Sequence, residues 1–151
     1  MKLYELLKQE NIFLQKKFKD KYEVINFLVD QLYQNGDISN KEEILNLLLE
    51  REKISTSGVN DQIAVPHIRV DNIDNFISAF CTLKPGVNFE SLDKQDVTIV
   101  LLLIAPKTMA KEYLNLLAKF SRIFKKEENR AKVLFLTSPE EVINFIKSQE
   151  E

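Results

Sequence analysis

Few residues in this sequence advertise chemistry. Its 151 residues hold one histidine, one cysteine and no tryptophan, with three glycines and four prolines. One cysteine forms no internal disulfide, and one Cys with one His falls short of the four ligands of a structural zinc site. So little Gly and Pro leaves no room for long linkers, and no repeat or low-complexity tract breaks the chain. Neither sign of charge dominates: 21 basic against 23 acidic residues give a net charge of −2. Nucleic acid is therefore not an expected partner, because phosphate backbones call for a basic excess. The first twenty residues are charged throughout, from Lys2 and Glu5 to Lys17 and Lys19, unlike the apolar core of a signal peptide. The most apolar run, Val97–Ala105, is interrupted only by Thr98 and falls well short of the ~20 residues of a spanning helix. A cytoplasmic chain with one domain over residues 1–151 is expected, a size that supports one real core.

What is present reads as alternating helices and strands. Leu3–Leu7 is a short amphipathic turn and Asn11–Phe18 a strand. Asp20 with Glu23 three positions on predicts a capped helix carrying Val24, Phe27, Leu28 and Leu32, stopped by Gly36. Ser39 with Glu42 repeats the signature, and Ile44, Leu45, Leu48 and Leu49 carry the stripe to Arg51. Ser55–Pro66 is rich in turn-formers and predicts a loop leading into a short extended piece that ends at His67. Phe76–Leu83 and Val97–Ile104 are strand candidates, the second apolar on both faces like a central strand. Lys84-Pro85-Gly86 and Ala105-Pro106 mark turns at their ends. Tyr113, Leu116, Leu117, Phe120 and Phe124 form another helical stripe, and Glu127–Leu136 reads as helix. Ser138-Pro139-Glu140-Glu141 opens a last helix with Val142, Phe145 and Ile146. The mixture predicts a layered α/β domain.

Most standard sites are missing. There is no G-x-x-x-x-G-K-[ST], no G-x-G-x-x-G after a strand, and no G-x-S-x-G elbow. Cys81 lies in an apolar strand and reads as a structural thiol. His67 remains. A lone histidine is more often a surface or satisfied core residue than a reactive one. This one, however, follows a loop of hydroxyls and backbone donors suited to an anion, on a segment stiffened by Pro66. Neutral imidazole attacks without an activating base, so the setting fits a nucleophilic histidine that receives an anionic group.

Arg51-Glu52, Ser55-Thr56, Gly58-Val59 and Ile63-Ala64-Val65-Pro66-His67 together resemble the signature of the fructose/mannitol-type enzyme IIA domain (EIIA type 2) of the bacterial phosphoenolpyruvate-dependent phosphotransferase system. The resemblance continues through Pro85-Gly86-Val87-Asn88-Phe89, Leu92-Asp93, Val97–Pro106 and Leu114–Phe124, covering essentially the whole chain. It implies an α-β-α sandwich, a mixed β-sheet flanked by helices on both faces. It also implies a reaction: acceptance of a phosphoryl group from the phosphohistidine of HPr, or of its nitrogen-branch counterpart, and delivery to a IIB component. In that reading His67 is the phosphorylated nucleophile, through Nε2. Arg51 offsets phosphoryl charge, and Thr56 with nearby backbone N–H groups orients the oxygens. No metal or other cofactor is needed, and membrane association comes only indirectly, through the transporter. Without the resemblance, Arg51 would read as a solvated helix end and Thr56 as a turn residue.

The resemblance also marks departures. Many members carry a second histidine where this chain has Tyr113, whose hydroxyl can hydrogen-bond but cannot share a proton at neutral pH. Tyr113 and Ser55 are expected to support the site from behind. Asn60 stands at a position usually taken by a small residue and tolerates left-handed backbone. Ile68 replaces a small residue after the histidine and is expected to narrow the pocket or reshape docking. Two further functions stay open: a nitrogen-branch-type regulatory EIIA, acting on protein partners according to its phosphorylation state, and a binding relative that is not phosphorylated.

Overall fold

A computed structural model describes residues Met1–Glu151. In chain order the elements are α1 (Leu3–Leu6), β1 (Ile12–Lys16), α2 (Lys21–Gln34), α3 (Lys41–Ile54), β2 (Ile63–Ala64), β3 (His67–Val70), β4 (Ile77–Val87), β5 (Val97–Pro106), α4 (Ala110–Lys125), α5 (Glu127–Phe135) and α6 (Pro139–Glu150). The strands form one sheet in the order β1-β4-β5, with β2 and β3 both along the far side of β5. β4 is antiparallel to β5 and every other pairing is parallel, so the sheet is mixed.

The central strand explains the layers. Side chains alternate across a strand, so an all-apolar one must be covered twice. Ile99, Leu101, Leu103 and Ala105 pack with Phe120, Phe124, Val142 and Phe145 of α4 and α6. Val100, Leu102 and Ile104 pack with Val24, Leu28, Leu32 and Leu48 of α2 and α3. Each such Val, Leu or Ile contributes roughly 1.5–3 kcal/mol on burial, before ordering entropy is set against it. The expected α-β-α sandwich is the fold observed. Cys81 lies within the α2/α3 side of this core, and burial pushes its thiol up to about 12, which makes it inert.

Two of the three sequence-marked helix starts are observed. Asp20 accepts the Glu23 N–H at 2.9 Å, and Ser138 and Glu141 form a reciprocal capping box. The third is displaced: α3 begins at Lys41, not after Ser39, and the Asn40 amide donates to the Glu43 carboxylate instead of accepting from the backbone. The turn expected at Lys84-Pro85-Gly86 is instead an exposed irregular stretch inside β4, between the pairs Thr82–Ile99 and Val87–Val97. Pro85 has no N–H for the ladder, and a bulge is where a strand accommodates that. Likewise the expected ending at His67 is a beginning: His67 opens β3, in register with Leu103 of β5.

Candidate functional site

β3 lies at the sheet edge, and the segment leading into it is tied on both sides. The Leu103 N–H donates to the Pro66 carbonyl and the Val65 N–H to the Ser57 carbonyl, both at 2.9 Å. Strand alternation then divides the side chains. Ile68 enters the core between sheet and α2/α3, while His67 and Arg69 face the other way. Ile68 therefore does not narrow the site, the first of the two effects expected of it. Asn60 does not supply left-handed backbone either; the neighbouring Asp61 and Gln62 do, with φ of 66° and 65°.

The imidazole is held at both nitrogens. Nδ1 lies 2.7 Å from the Val65 carbonyl oxygen, and Nε2 lies 2.9 Å from Nη2 of Arg51 in the last turn of α3. A carbonyl only accepts and a guanidinium only donates. Nδ1 must therefore carry the proton, and Nε2 must present its lone pair toward Arg51. Protonating Nε2 would set two donors against each other. Burial lowers the His67 pKa below the ordinary imidazole value, and the charges of Arg51 and Arg69 push the same way, against the opposing Val65 hydrogen bond. The ring is neutral at pH 7, with its lone pair on Nε2.

A cleft of about 30 Å³ is lined by His67 together with Arg51, Glu52, Ser55, Thr56 and Ser57, among others. Small-molecule pockets run to roughly 300–1,000 Å³, so no sugar or nucleotide fits inside. Of the expected residues, Arg51 touches His67 directly. Ser55 lines the cleft from the end of α3, where its N–H donates to the Arg51 carbonyl at 3.0 Å. Thr56 is at the cleft, but its hydroxyl is committed: it donates to the Phe89 carbonyl and accepts the Gly58 N–H at 3.0 Å. Gly58 is required here, since a Cβ would stand 2.9 Å from that of Phe89 and 2.3 Å from Ser91 Oγ. Tyr113, in the first turn of α4, packs its ring beside the imidazole with centroids 5.2 Å apart. Burial raises its hydroxyl pKa, so the phenol stays protonated.

Sequence reasoning missed the support behind this loop. The buried Glu52 carboxylate accepts the Ser57 N–H at 2.9 Å and pairs with the buried Lys21 ammonium at 3.1 Å, which also reaches Glu90 at 3.1 Å. Burial opposes the Lys21 charge, but hydrogen bonds to Glu52 and Glu90 outweigh it and raise the pKa. A signal was there to find. Glu52 continues the Leu45–Leu48 stripe of α3, and Lys21 precedes Val24 and Leu28 on the stripe of α2. A charge in register with an apolar face needs a partner. No cluster of three His, Cys, Asp or Glu side chains is placed to hold a metal, and no helix is long and apolar enough to cross a membrane.

Residues 5–149 match the family described as phosphoenolpyruvate-dependent sugar phosphotransferase system, EIIA 2. The chain is 31% identical over 150 residues to the PTS system fructose-specific EIIABC component of Bacillus subtilis (strain 168), covering 99% of this chain and 24% of that relative. It thus spans about a quarter of that relative's length. Its fold superposes on the nitrogen regulatory protein IIA-Ntr from Neisseria meningitidis with a TM-score of 0.87 at 23% identity, covering 95% and 98% of the two chains. The enzyme IIA of mannitol, solved in complex with phosphorylated enzyme IIB from Escherichia coli, superposes with a TM-score of 0.77 at 24% identity, covering 94% and 97%.

Proposed function

The chain belongs to the EIIA type 2 family of the phosphoenolpyruvate-dependent sugar phosphotransferase system, and on that premise we propose that it is a phosphocarrier. It takes a phosphoryl group onto Nε2 of His67 from HPr or a nitrogen-branch HPr-like carrier. It then passes the group to a IIB component and meets the membrane only through that transporter. The observation that carries this reading is the pair of hydrogen bonds fixing the Nδ1–H tautomer, which leaves the lone pair on Nε2 of a ring that lines a small cleft with Arg51.

The chemistry follows from those contacts. As the Nε2 lone pair bonds to phosphorus, the donor's P–N bond breaks, and positive charge grows on the ring. Nδ1–H meets that charge by its hydrogen bond to the Val65 carbonyl, without giving up the proton. The Arg51 guanidinium, released from Nε2, turns its forked donors to the phosphoryl oxygens. Positioning and charge stabilisation carry most of phosphoryl transfer, so few reactive groups suffice.

The test is labelled transfer from phosphorylated HPr and from the nitrogen-branch carrier in parallel, followed by a chase into IIB. Label is expected on the wild-type chain, absent from His67→Ala, and lost to IIB. The donor that works faster assigns the branch. Equal labelling of wild type and His67→Ala would overturn the proposal.

A further inference from the structure

We propose that the Ser57 hydroxyl is a further catalytic group of this site, donating its O–H to an oxygen of the phosphoryl group in transit at His67, with the buried Glu52–Lys21 pair holding it in place. This rests on the phosphocarrier reading above. It assigns to Ser57 the oxygen-orienting task that the family resemblance implied for Thr56.

Thr56 is poorly suited to that task, since its hydroxyl proton goes to the Phe89 carbonyl and it accepts the Gly58 N–H. Ser57 lines the same cleft, and its Oγ is buried with no hydrogen-bond partner. Of the four buried side-chain atoms left unpartnered (Ser57 Oγ, Ser91 Oγ, Thr98 Oγ1 and Arg130 Nε), only that of Ser57 belongs to a residue of the His67 cleft. A buried hydroxyl without a partner is costly, and a site tolerates it when a ligand supplies the missing acceptor. An anionic phosphoryl oxygen beside a neutral imidazole is such an acceptor. Every other part of Ser57 is fixed. Its N–H donates to Glu52 at 2.9 Å, and its carbonyl accepts the Val65 N–H at 2.9 Å, two residues before His67. Lys21 holds Glu52 from behind, with the two side chains only 5% and 2% exposed. The loop is thus clamped to α3 on one side and to the segment that leads into His67 on the other. Glu52 and Lys21 act through Ser57 and are positioning residues. During transfer the Ser57 O–H keeps its proton: the P–N bond to Nε2 forms and the donor's P–N bond breaks as before. The hydroxyl only adds a charge-assisted hydrogen bond.

The experiment measures single-turnover transfer from phosphorylated HPr across donor concentrations, for wild type, Ser57→Ala, Ser57→Thr and Ser57→Val, with circular dichroism confirming the fold of each. Ser57→Ala is expected to place label on His67 still, at a maximal rate lower by roughly 10- to 100-fold, as loss of a hydrogen bond to a charged group predicts. The half-saturating donor concentration stays near wild type, which a merely disordered docking surface would not give. Ser57→Thr restores most of the rate and Ser57→Val does not. That pair also decides the matter if the alanine variant unfolds, because the two side chains share a shape and differ in the hydroxyl. Wild-type rates in Ser57→Ala, or equal rates in the Thr and Val variants, would overturn the assignment while leaving His67 as the acceptor. An unlabelled wild-type chain would instead overturn the phosphocarrier reading.

Discussion

Replacing Glu52 with Leu removes a carboxylate that two groups depend on. Lys21 loses a partner at 3.1 Å and the Ser57 N–H loses its acceptor at 2.9 Å. Breaking a buried ion pair costs about 3–5 kcal/mol when the surviving charge has no partner. Lys21 keeps Glu90, whose side chain is 69% exposed, so the lower end applies. The orphaned Ser57 N–H adds about 1–3 kcal/mol, for a total of about 4–6 kcal/mol. A chain of this size has about 5–15 kcal/mol in all, so Glu52→Leu should sit near the edge of folding, with Tm lower by roughly 8–24 °C. Lys21→Met, which leaves Glu52 buried with only the Ser57 N–H, should lose about 3–5 kcal/mol. The informative variant is the double one. Replacing both charges with apolar side chains of similar size removes the desolvation problem, leaving mainly the Ser57 N–H cost of about 1–3 kcal/mol. Urea unfolding followed by far-ultraviolet circular dichroism is the assay, since the chain has no tryptophan. A double variant as destabilised as the sum of the singles would refute the reasoning, because it would show that the two charges do not depend on each other.

Four further outcomes are expected. Arg51→Gln removes a positive charge that disfavours the protonated ring, so the His67 pKa should rise toward its ordinary value and the acid limb of the transfer-rate profile should move to higher pH; an unmoved limb would count against the Arg51 contact. Because the folded His67 pKa is lowered, the unfolded chain binds more protons in the window below the ordinary value of about 6.5. That contribution to stability is fully present above about 6.5 and is lost as pH falls through the folded pKa. Denaturation midpoints between neutral and mildly acidic pH should show it, and His67→Gln should flatten the dependence. Tyr113→Phe should transfer at close to the wild-type rate, since the contact with His67 is between rings, whereas Tyr113→Ala should be slowed; a large loss in the Phe variant would restore a role to the hydroxyl. Ile68→Ala should lose about 2–4 kcal/mol in urea unfolding as a core cavity, yet still label at His67.

What was legible in the sequence was whatever one element decides by itself. Asp20 with Glu23 and Ser138 with Glu141 act within a single helical turn, and both caps are observed. The doubly apolar β5 required helices on two sides, and it has them. Arg51 and His67 were placed by a resemblance that already joined them across the intervening loop. What stayed hidden depends on partners that meet only in three dimensions. Lys21, Glu52 and Glu90 come from α2, α3 and the segment before β5, and none names the others. That the Thr56 hydroxyl is committed needed the Phe89 carbonyl, 33 residues along the chain from Thr56. That Ile68 does not narrow the site was hidden because the direction of a side chain on a short edge strand is fixed by its register with Leu103 and Ile104, not by its neighbours in sequence.

The smallness of the cleft beside His67 has a kinetic consequence. On the proposed reaction, donor and acceptor proteins present their reactive groups to the same nitrogen through the same opening, so they exclude one another. Exchange is then ping-pong, the phosphorylated chain parting from one partner before it meets the next. An excess of dephosphorylated donor, or of IIB, competes against the other half-reaction by occupancy alone. Flux through such a carrier is governed by the ratio of its two partner pools as much as by the speed of the bond exchange at Nε2.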